Sequence, residues 1–203
     1  MNNGKLIVIS GPAGIGKGTV CKELVKRDDT LALSVSWTTR EIRKNEIADV
    51  TYFYRSEEQF EEMVKNGGFL EYAGIYGNHY GTPRDYVAAR MAEGKNVILE
   101  IETQGAMKVM QSEKDVVSIY LLPPSMKELR DRLINRGRED IKKANKRFRA
   151  AFDEINLAKD YQYVIINSDL EKTCDAVLDI IHGRPYQNPE NIEEIIRKLK
   201  EEV

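Results

Sequence analysis

Nine consecutive residues, Gly11-Pro12-Ala13-Gly14-Ile15-Gly16-Lys17-Gly18-Thr19, have the composition of a phosphate cradle. Glycines let the backbone curl until successive N–H groups point at one anion, and a following helix adds its positive end. Lys17 adds a point charge suited to β- and γ-phosphates. The run matches the P-loop pattern through Gly16-Lys17, but Gly18 stands where Ser or Thr is usual and the hydroxyl comes one place later, at Thr19. The bare pattern is common by chance, so its setting decides. Leu6-Ile7-Val8-Ile9 ahead of it reads as a strand buried on both faces. Behind it, Val20, Cys21, Leu24 and Val25 recur at helical spacing. A nucleotide site therefore outweighs a plain glycine-rich turn. The sequence has no Asn-Lys-x-Asp motif of the kind GTPases use to read guanine, and 203 residues leave no room for the further domains of a motor or helicase. A small kinase remains, its second substrate bound elsewhere.

That second site is expected in the stretch 36–90. Six of the ten tyrosines fall between Tyr52 and Tyr86, and Arg40 and Arg43 lie three residues apart after Ser36-Trp37-Thr38-Thr39. Forked guanidinium donors and phenolic hydroxyls make a phosphate clamp. Taken singly, each of these residues is more often a surface charge or a packing tyrosine; together beside a nucleotide loop they point to an acceptor phosphate. Residues 127–149 hold ten Lys/Arg and four Asp/Glu, a local excess of six positive charges. Two anionic phosphates must be brought together against their repulsion, and such a segment could do it. Arg136, Arg138 and Arg147 are favoured for that role because Gly137 can serve as a hinge, whereas Lys127, Lys142, Lys143 and Lys146 read as a solvated face.

With these residues in view, the sequence resembles the guanylate kinase family over roughly residues 4–182. The matching blocks are GPAGIGKGT, SVSWTTREIR, the Tyr of VTYF, FLEYA, GNHYGTP, ILEIETQGA, LLPPS, RLINRGRE, NKRF and VIINSDL. The resemblance implies transfer of the ATP γ-phosphoryl group to GMP, and to dGMP as well, giving ADP and GDP for purine nucleotide metabolism, with Mg²⁺. By matching position, Gly11 to Thr19 together with Arg132, Arg136 and Asn167 would hold ATP. Ser36, Arg40, Arg43, Tyr52 and Tyr80 would surround the GMP phosphate. Glu71 and Thr82 would read guanine, the carboxylate accepting from its N–H donors and the hydroxyl donating to O6. Glu100 and Glu102 would lie near the acceptor and metal. Lys17, Arg40, Arg136 and Arg147 would carry the catalytic charge. The metal ligand set stays open, with Thr19 a candidate acting mostly through water. Glu102 replaces the usual Asp, Ser168 stands where Asp often follows Asn, and Trp37 is bulkier than usual, a packing residue.

Elements must position these groups. Val97–Ile101, Val116–Leu122 and Tyr163–Ile166 read as further buried strands separated by helical patterns. Ser56-x-x-Gln59, Ser125-x-x-Glu128 and Ser168-x-x-Glu171 read as capping boxes. The expected fold is α/β: a P-loop parallel sheet flanked by helices (residues 1–35 and 91–203), an inserted mixed α+β subdomain for the nucleoside monophosphate (36–90), and a helical lid at about 136–148. Ile192, Ile195, Ile196 and Leu199 form a stripe expected to pack on the chain's own core. The charge balance, 31 Lys/Arg against 33 Asp/Glu, argues against a dedicated nucleic-acid or polybasic membrane binder. No apolar run reaches membrane-spanning length, and Cys21, Cys174, His79 and His182 have no metal-ligand spacing. The expectation is a cytoplasmic protein with reduced thiols, its oligomeric state open. Two rivals weigh less. A phosphopeptide-binding scaffold module of the same fold would lose Lys17 and the glycines; a kinase for a sugar phosphate would have no use for Glu71 and Thr82 as a base reader.

Overall fold

The computed structural model describes residues 4–44, 46–75, 77–135 and 141–203. Its centre is β1 (Leu6–Ser10), buried along its whole length. A strand covered on both faces has no polar side, which is why Leu6 to Ile9 shows no alternation, and the buried Ser10 hydroxyl donates to the Ile101 carbonyl at 3.0 Å. It pairs in parallel with β7 (Asn96–Glu100) on one side, Leu6 facing Val97, and with β8 (Val116–Leu122) on the other, Leu6 facing Val116. The five-stranded order is β2-β7-β1-β8-β9, with β2 (Leu31–Leu33) and β9 (Tyr163–Ile166) at the edges. All these pairs are parallel. Sequence periodicity misses β2, because three residues are too few to show a pattern.

Helices α1 (Lys17–Arg27), α4 (Thr103–Ser112), α5 (Met126–Asn135), α6 (Ile141–Glu154) and α7 (Leu170–Ile181) connect or cover the strands. A 3₁₀ turn at Ile155–Asp160 links α6 to β9. The last helix, α8 (Ile192–Glu201), buries Ile196 and Leu199 in the main core, as its stripe predicts. Asn191 caps it, accepting from the Glu194 N–H at 3.1 Å. Cys21 and Cys174 are both buried and unbridged.

Between β2 and β7 the chain builds a second sheet of order β4-β3-β6-β5 from β3 (Trp37–Thr38), β4 (Phe53–Tyr54), β5 (Phe69–Ile75) and β6 (Asn78–Pro83). Helix α2 (Glu57–Lys65) packs on it by Phe60, whose ring stacks on Phe69 at 4.7 Å. Trp37 meets Phe69 edge-on at 5.7 Å, the packing role expected of it. Helix α3 (Arg84–Ala92) carries the chain back, with Val87 in the main core.

The caps follow the sequence unevenly. The Ser56–Gln59 box is complete. At α5, Ser125 accepts from the Glu128 N–H at 3.1 Å, but the Glu128 carboxylate turns to Arg132 instead of reaching back. At α7 the cap is Asp169, not Ser168, and Glu171 is drawn 2.5 Å from Arg27. In both cases a guanidinium one helical turn away, or on a packed helix, out-competes a backbone N–H for the carboxylate.

Candidate active site

Three core strands lead at their carboxyl ends into expected site residues: β1 into the phosphate loop, β7 into Glu100 at its end and Glu102 beyond, and β9 into Asn167. Parallel α/β sheets bind ligands at that edge, where successive connections leave to opposite sides of one strand. Here β1 is that strand, flanked by β7 and β8.

The loop from Gly11 to Gly16 turns sharply, with Gly14 and Gly16 at φ 85° and 102°. Gly16 ends it as the backbone cap of α1, with no side chain over the helix start. The first N–H groups of α1 thus have no side-chain cap, the setting in which a helix start takes an anion. Lys17 is buried, only 8% exposed. Its ammonium donates to the Gly11 carbonyl at 2.6 Å and lies 3.6 Å from the Glu102 carboxylate. A Cβ at Gly18 would stand 3.0 Å from a Glu100 carboxylate oxygen. The missing hydroxyl thus coincides with a carboxylate packed over the same turn. Thr19 is exposed.

Asn167 and Arg132, both expected on the nucleotide, grip the loop itself. The Asn167 amide donates to the Ile15 carbonyl at 2.8 Å and accepts from the Thr173 hydroxyl at 3.0 Å. Arg132 donates to the same Ile15 carbonyl at 3.1 Å. Sequence reasoning missed Glu154, at the end of α6, which accepts from the Ala13 N–H at 3.4 Å. Burial first, and then the charge of Glu102, raises its carboxyl above the usual range. Only an acid at the end of an amphipathic helix signals it, which is too little to single it out. Arg147 lies half-buried on α6, whereas Arg136, Gly137 and Arg138 fall outside the described residues. So does the first part of the expected lid.

In the small sheet, the Arg40 guanidinium lies over the rings of Tyr52 and Tyr54, at 5.3 and 5.8 Å. Its Nε donates to the Tyr80 hydroxyl at 3.2 Å. Its two terminal nitrogens meet Glu46, at 2.7 and 2.8 Å. The Arg40 fork, expected on the acceptor phosphate, holds the Glu46 carboxylate in this structure. Arg43 is exposed, and its guanidinium takes no hydrogen bond or ion pair among the described residues. Ser36 is half-buried beside β4, its carbonyl accepting from the Phe53 N–H at 2.9 Å. Tyr52 reaches toward the core: burial and then the Glu100 charge push its hydroxyl up to about 12.

Glu71 and Thr82 face each other across β5 and β6. The Thr82 hydroxyl donates to Glu71 Oε1 at 2.7 Å, and both side chains are buried. The Thr82 proton is therefore directed at Glu71 and not left for a ligand carbonyl, and Thr82 presents lone pairs. Burial raises the Glu71 carboxyl, opposed by Thr82 and by Lys108. Helix α4 ties the two halves together. Glu102 begins it and meets Lys17, while Gly105, in its first turn, backs Glu71.

A phosphate loop at the head of a parallel sheet, joined through one helix to a buried carboxylate–hydroxyl pair on an inserted sheet, defines a P-loop nucleoside monophosphate kinase. Comparison with known proteins narrows the class. The guanylate kinase family model matches residues 3–184. Guanylate kinase of Clostridioides difficile is 45% identical over 203 residues, covering 100% of this chain and 99% of that one. That of Halalkalibacterium halodurans is 48% identical over 178 residues, 88% of this chain and 87% of its own. The crystal structure of guanylate kinase from Anaplasma phagocytophilum superposes with a TM-score of 0.73 at 35% identity, covering 90% of this chain and 86% of that one. The chain belongs to the guanylate kinase family, and ATP is the family's phosphoryl donor.

Proposed function

We propose that this protein transfers the γ-phosphoryl group of ATP to GMP, and to dGMP, through the residues described above. The observation that carries this reading is the buried Glu71–Thr82 pair, linked through α4 to Lys17. A buried carboxylate kept beside a hydroxyl is costly unless something with N–H donors uses it. Guanine offers two such donors on one edge.

In this reading ATP lies along the loop from Gly11 to Thr19, its phosphates on the loop N–H groups and the start of α1. Lys17 leaves the Gly11 carbonyl for the β- and γ-phosphoryl oxygens. Ser36, Arg43, Tyr52 and Tyr80 surround the GMP phosphate, with Arg40 behind them. A GMP phosphate oxygen attacks the γ-phosphorus as the bond to the ADP oxygen breaks. The transition state is loose, so alignment and charge stabilisation do most of the work. Arg147, with Arg132 and Arg136, adds positive charge from the lid side, 136–148, while residues 36–90 act as the acceptor subdomain of a core formed by 1–35 and 91–203.

The donor set suits Mg²⁺ carried in by the nucleotide. No cluster of three or more His, Cys, Asp or Glu able to cage a metal occurs among the described residues. The ion commonly keeps several waters and leans on substrate phosphates. Thr19, Glu100 and Glu102 would reach its waters. Bound there, Mg²⁺ supplies neutralising charge on the β- and γ-phosphoryl oxygens. Among the described residues no helix is long and apolar enough to cross a membrane; a cytoplasmic site of action, without nucleic-acid partners, belongs to the same proposal.

The test is ADP release measured against GMP, dGMP, AMP, UMP and CMP, with Mg²⁺ and with a chelator. Turnover confined to the two guanine nucleotides and lost on chelation is expected. Comparable turnover of AMP would remove Glu71 and Thr82 as base readers.

A further inference from the structure

Arg40 has five N–H donors. Among the described residues, Nε–H goes to Tyr80, the two Nη1 hydrogens to the Glu41 carbonyl and Glu46 Oε2, and one Nη2 hydrogen to Glu46 Oε1. Glu46 is held as firmly from its own side. Besides Arg40 it accepts from the Tyr54 hydroxyl at 2.8 Å and from the Arg43 backbone N–H at 2.8 Å. Its own N–H returns to the Arg43 carbonyl at 3.0 Å. The two side chains are 10% and 15% exposed, so this is not one of the solvated surface pairs that contribute little. Glu46 thus fixes both arginines: Arg40 by its side chain and Arg43 by its backbone.

We propose that Glu46 is a positioning residue for the acceptor phosphate. It locks the Arg40 guanidinium over the rings of Tyr52 and Tyr54, and it anchors the turn from which Arg43 supplies the forked contact. This rests on the reading of the Arg40, Arg43, Tyr52 and Tyr80 group as the GMP phosphate site. A phosphate is not expected to displace Glu46, because four donors would lose a carboxylate that Arg40 keeps ionised against the cost of its burial.

Gln at position 46 has one oxygen and turns an NH₂ donor toward Arg40, so the fork is lost at nearly constant shape. The experiment is equilibrium titration with GMP and with guanosine, which lacks the phosphate, on Glu46→Gln, Glu46→Asp, Tyr54→Phe and Arg43→Leu. Glu46→Gln is expected to weaken GMP tenfold or more with guanosine and ATP unchanged, at ~10-fold per lost charge-assisted pair. Glu46→Asp should recover part of the loss, and Tyr54→Phe, which removes one donor and keeps the packing, should lose about two- to fivefold for GMP alone. If GMP and guanosine weaken together in both Glu46→Gln and Tyr54→Phe, Glu46 serves only the subdomain's folding and the proposal fails. If Arg43→Leu weakens GMP but Glu46→Gln does not, Glu46 positions nothing. If Arg43→Leu also leaves GMP binding intact, the phosphate site itself is wrongly located and the proposal falls with it.

Discussion

The carboxylate of Glu71 occupies the space a methyl group on Gly105 would need: a Cβ there would stand 2.5 Å from Glu71 Oε2. One residue on β5 and one in the first turn of α4, 34 positions apart in sequence, are thus fitted to each other. Gly105→Ala should therefore move Glu71, and with it the edge that reads the base. Ala favours a helix over Gly by about 1 kcal/mol, which offsets part of the strain. The expected result is a melting temperature near the parent's and kcat/KM for GMP at least about tenfold lower, on the scale of one hydrogen bond displaced. Steady-state kinetics with a thermal melt checks both.

Glu71→Gln separates stability from function. The folded protein raises the Glu71 carboxyl above 4.5, so the native state holds its proton more tightly than the unfolded chain does. Stability linked to this group is greatest below 4.5 and falls as pH rises through the raised value, leaving a constant penalty at neutral pH. A neutral amide removes that penalty. The variant should melt no lower than the parent at pH 7, yet lose GMP activity, because its amide can face guanine's donors with donors; selection of GMP over AMP should fall by up to ~10⁴-fold. In the parent, the acid limb of kcat/KM for GMP should lie above pH 4.5. An unchanged GMP/AMP ratio in the variant contradicts the assignment.

Lys17→Ala removes the ammonium that bridges the Gly11 carbonyl and Glu102. The helix and sheet that flank it do not depend on this side chain, so circular dichroism should be unchanged. Turnover should fall about 10²–10³-fold, the usual effect of removing one preorganised charge from a transition state. A folded variant within about threefold of the parent would count against the loop as the site of ATP.

Asn167→Ala tests a brace. The buried amide holds Ile15, at the tip of the phosphate loop, against Thr173 on α7. Its loss leaves the Ile15 carbonyl held by Arg132 alone and takes the partner of the buried Thr173 hydroxyl, a cost of about 1–3 kcal/mol. The expected signature is a lower denaturation midpoint and a raised KM for ATP, with KM for GMP unchanged. If both Michaelis constants stay put while stability drops, Asn167 supports the fold without shaping the loop.

Where chemistry depends on consecutive residues, the sequence alone determined it. The loop from Gly11 to Thr19 needs only local curl, a strand before it and a helix after it, and all three are written in neighbouring residues. The buried strands β1, β7, β8 and β9 declare themselves by mainly apolar, non-alternating runs for the same reason, as the Ser56–Gln59 cap does by its spacing. The family blocks added Glu71, Thr82 and the arginines as members of a site, without their geometry. Tertiary structure decided which partner each group takes, because that depends on residues brought close from elsewhere in the chain. Glu171 left its cap for Arg27, Arg40 closed its fork on Glu46, and Asn167 turned to Ile15 across 152 positions. Glu154 joined the loop only because α6 ends beside Ala13. A carboxylate or an amide binds the best donor or acceptor within about 3 Å, and no spacing rule in the chain says which one the fold will bring there.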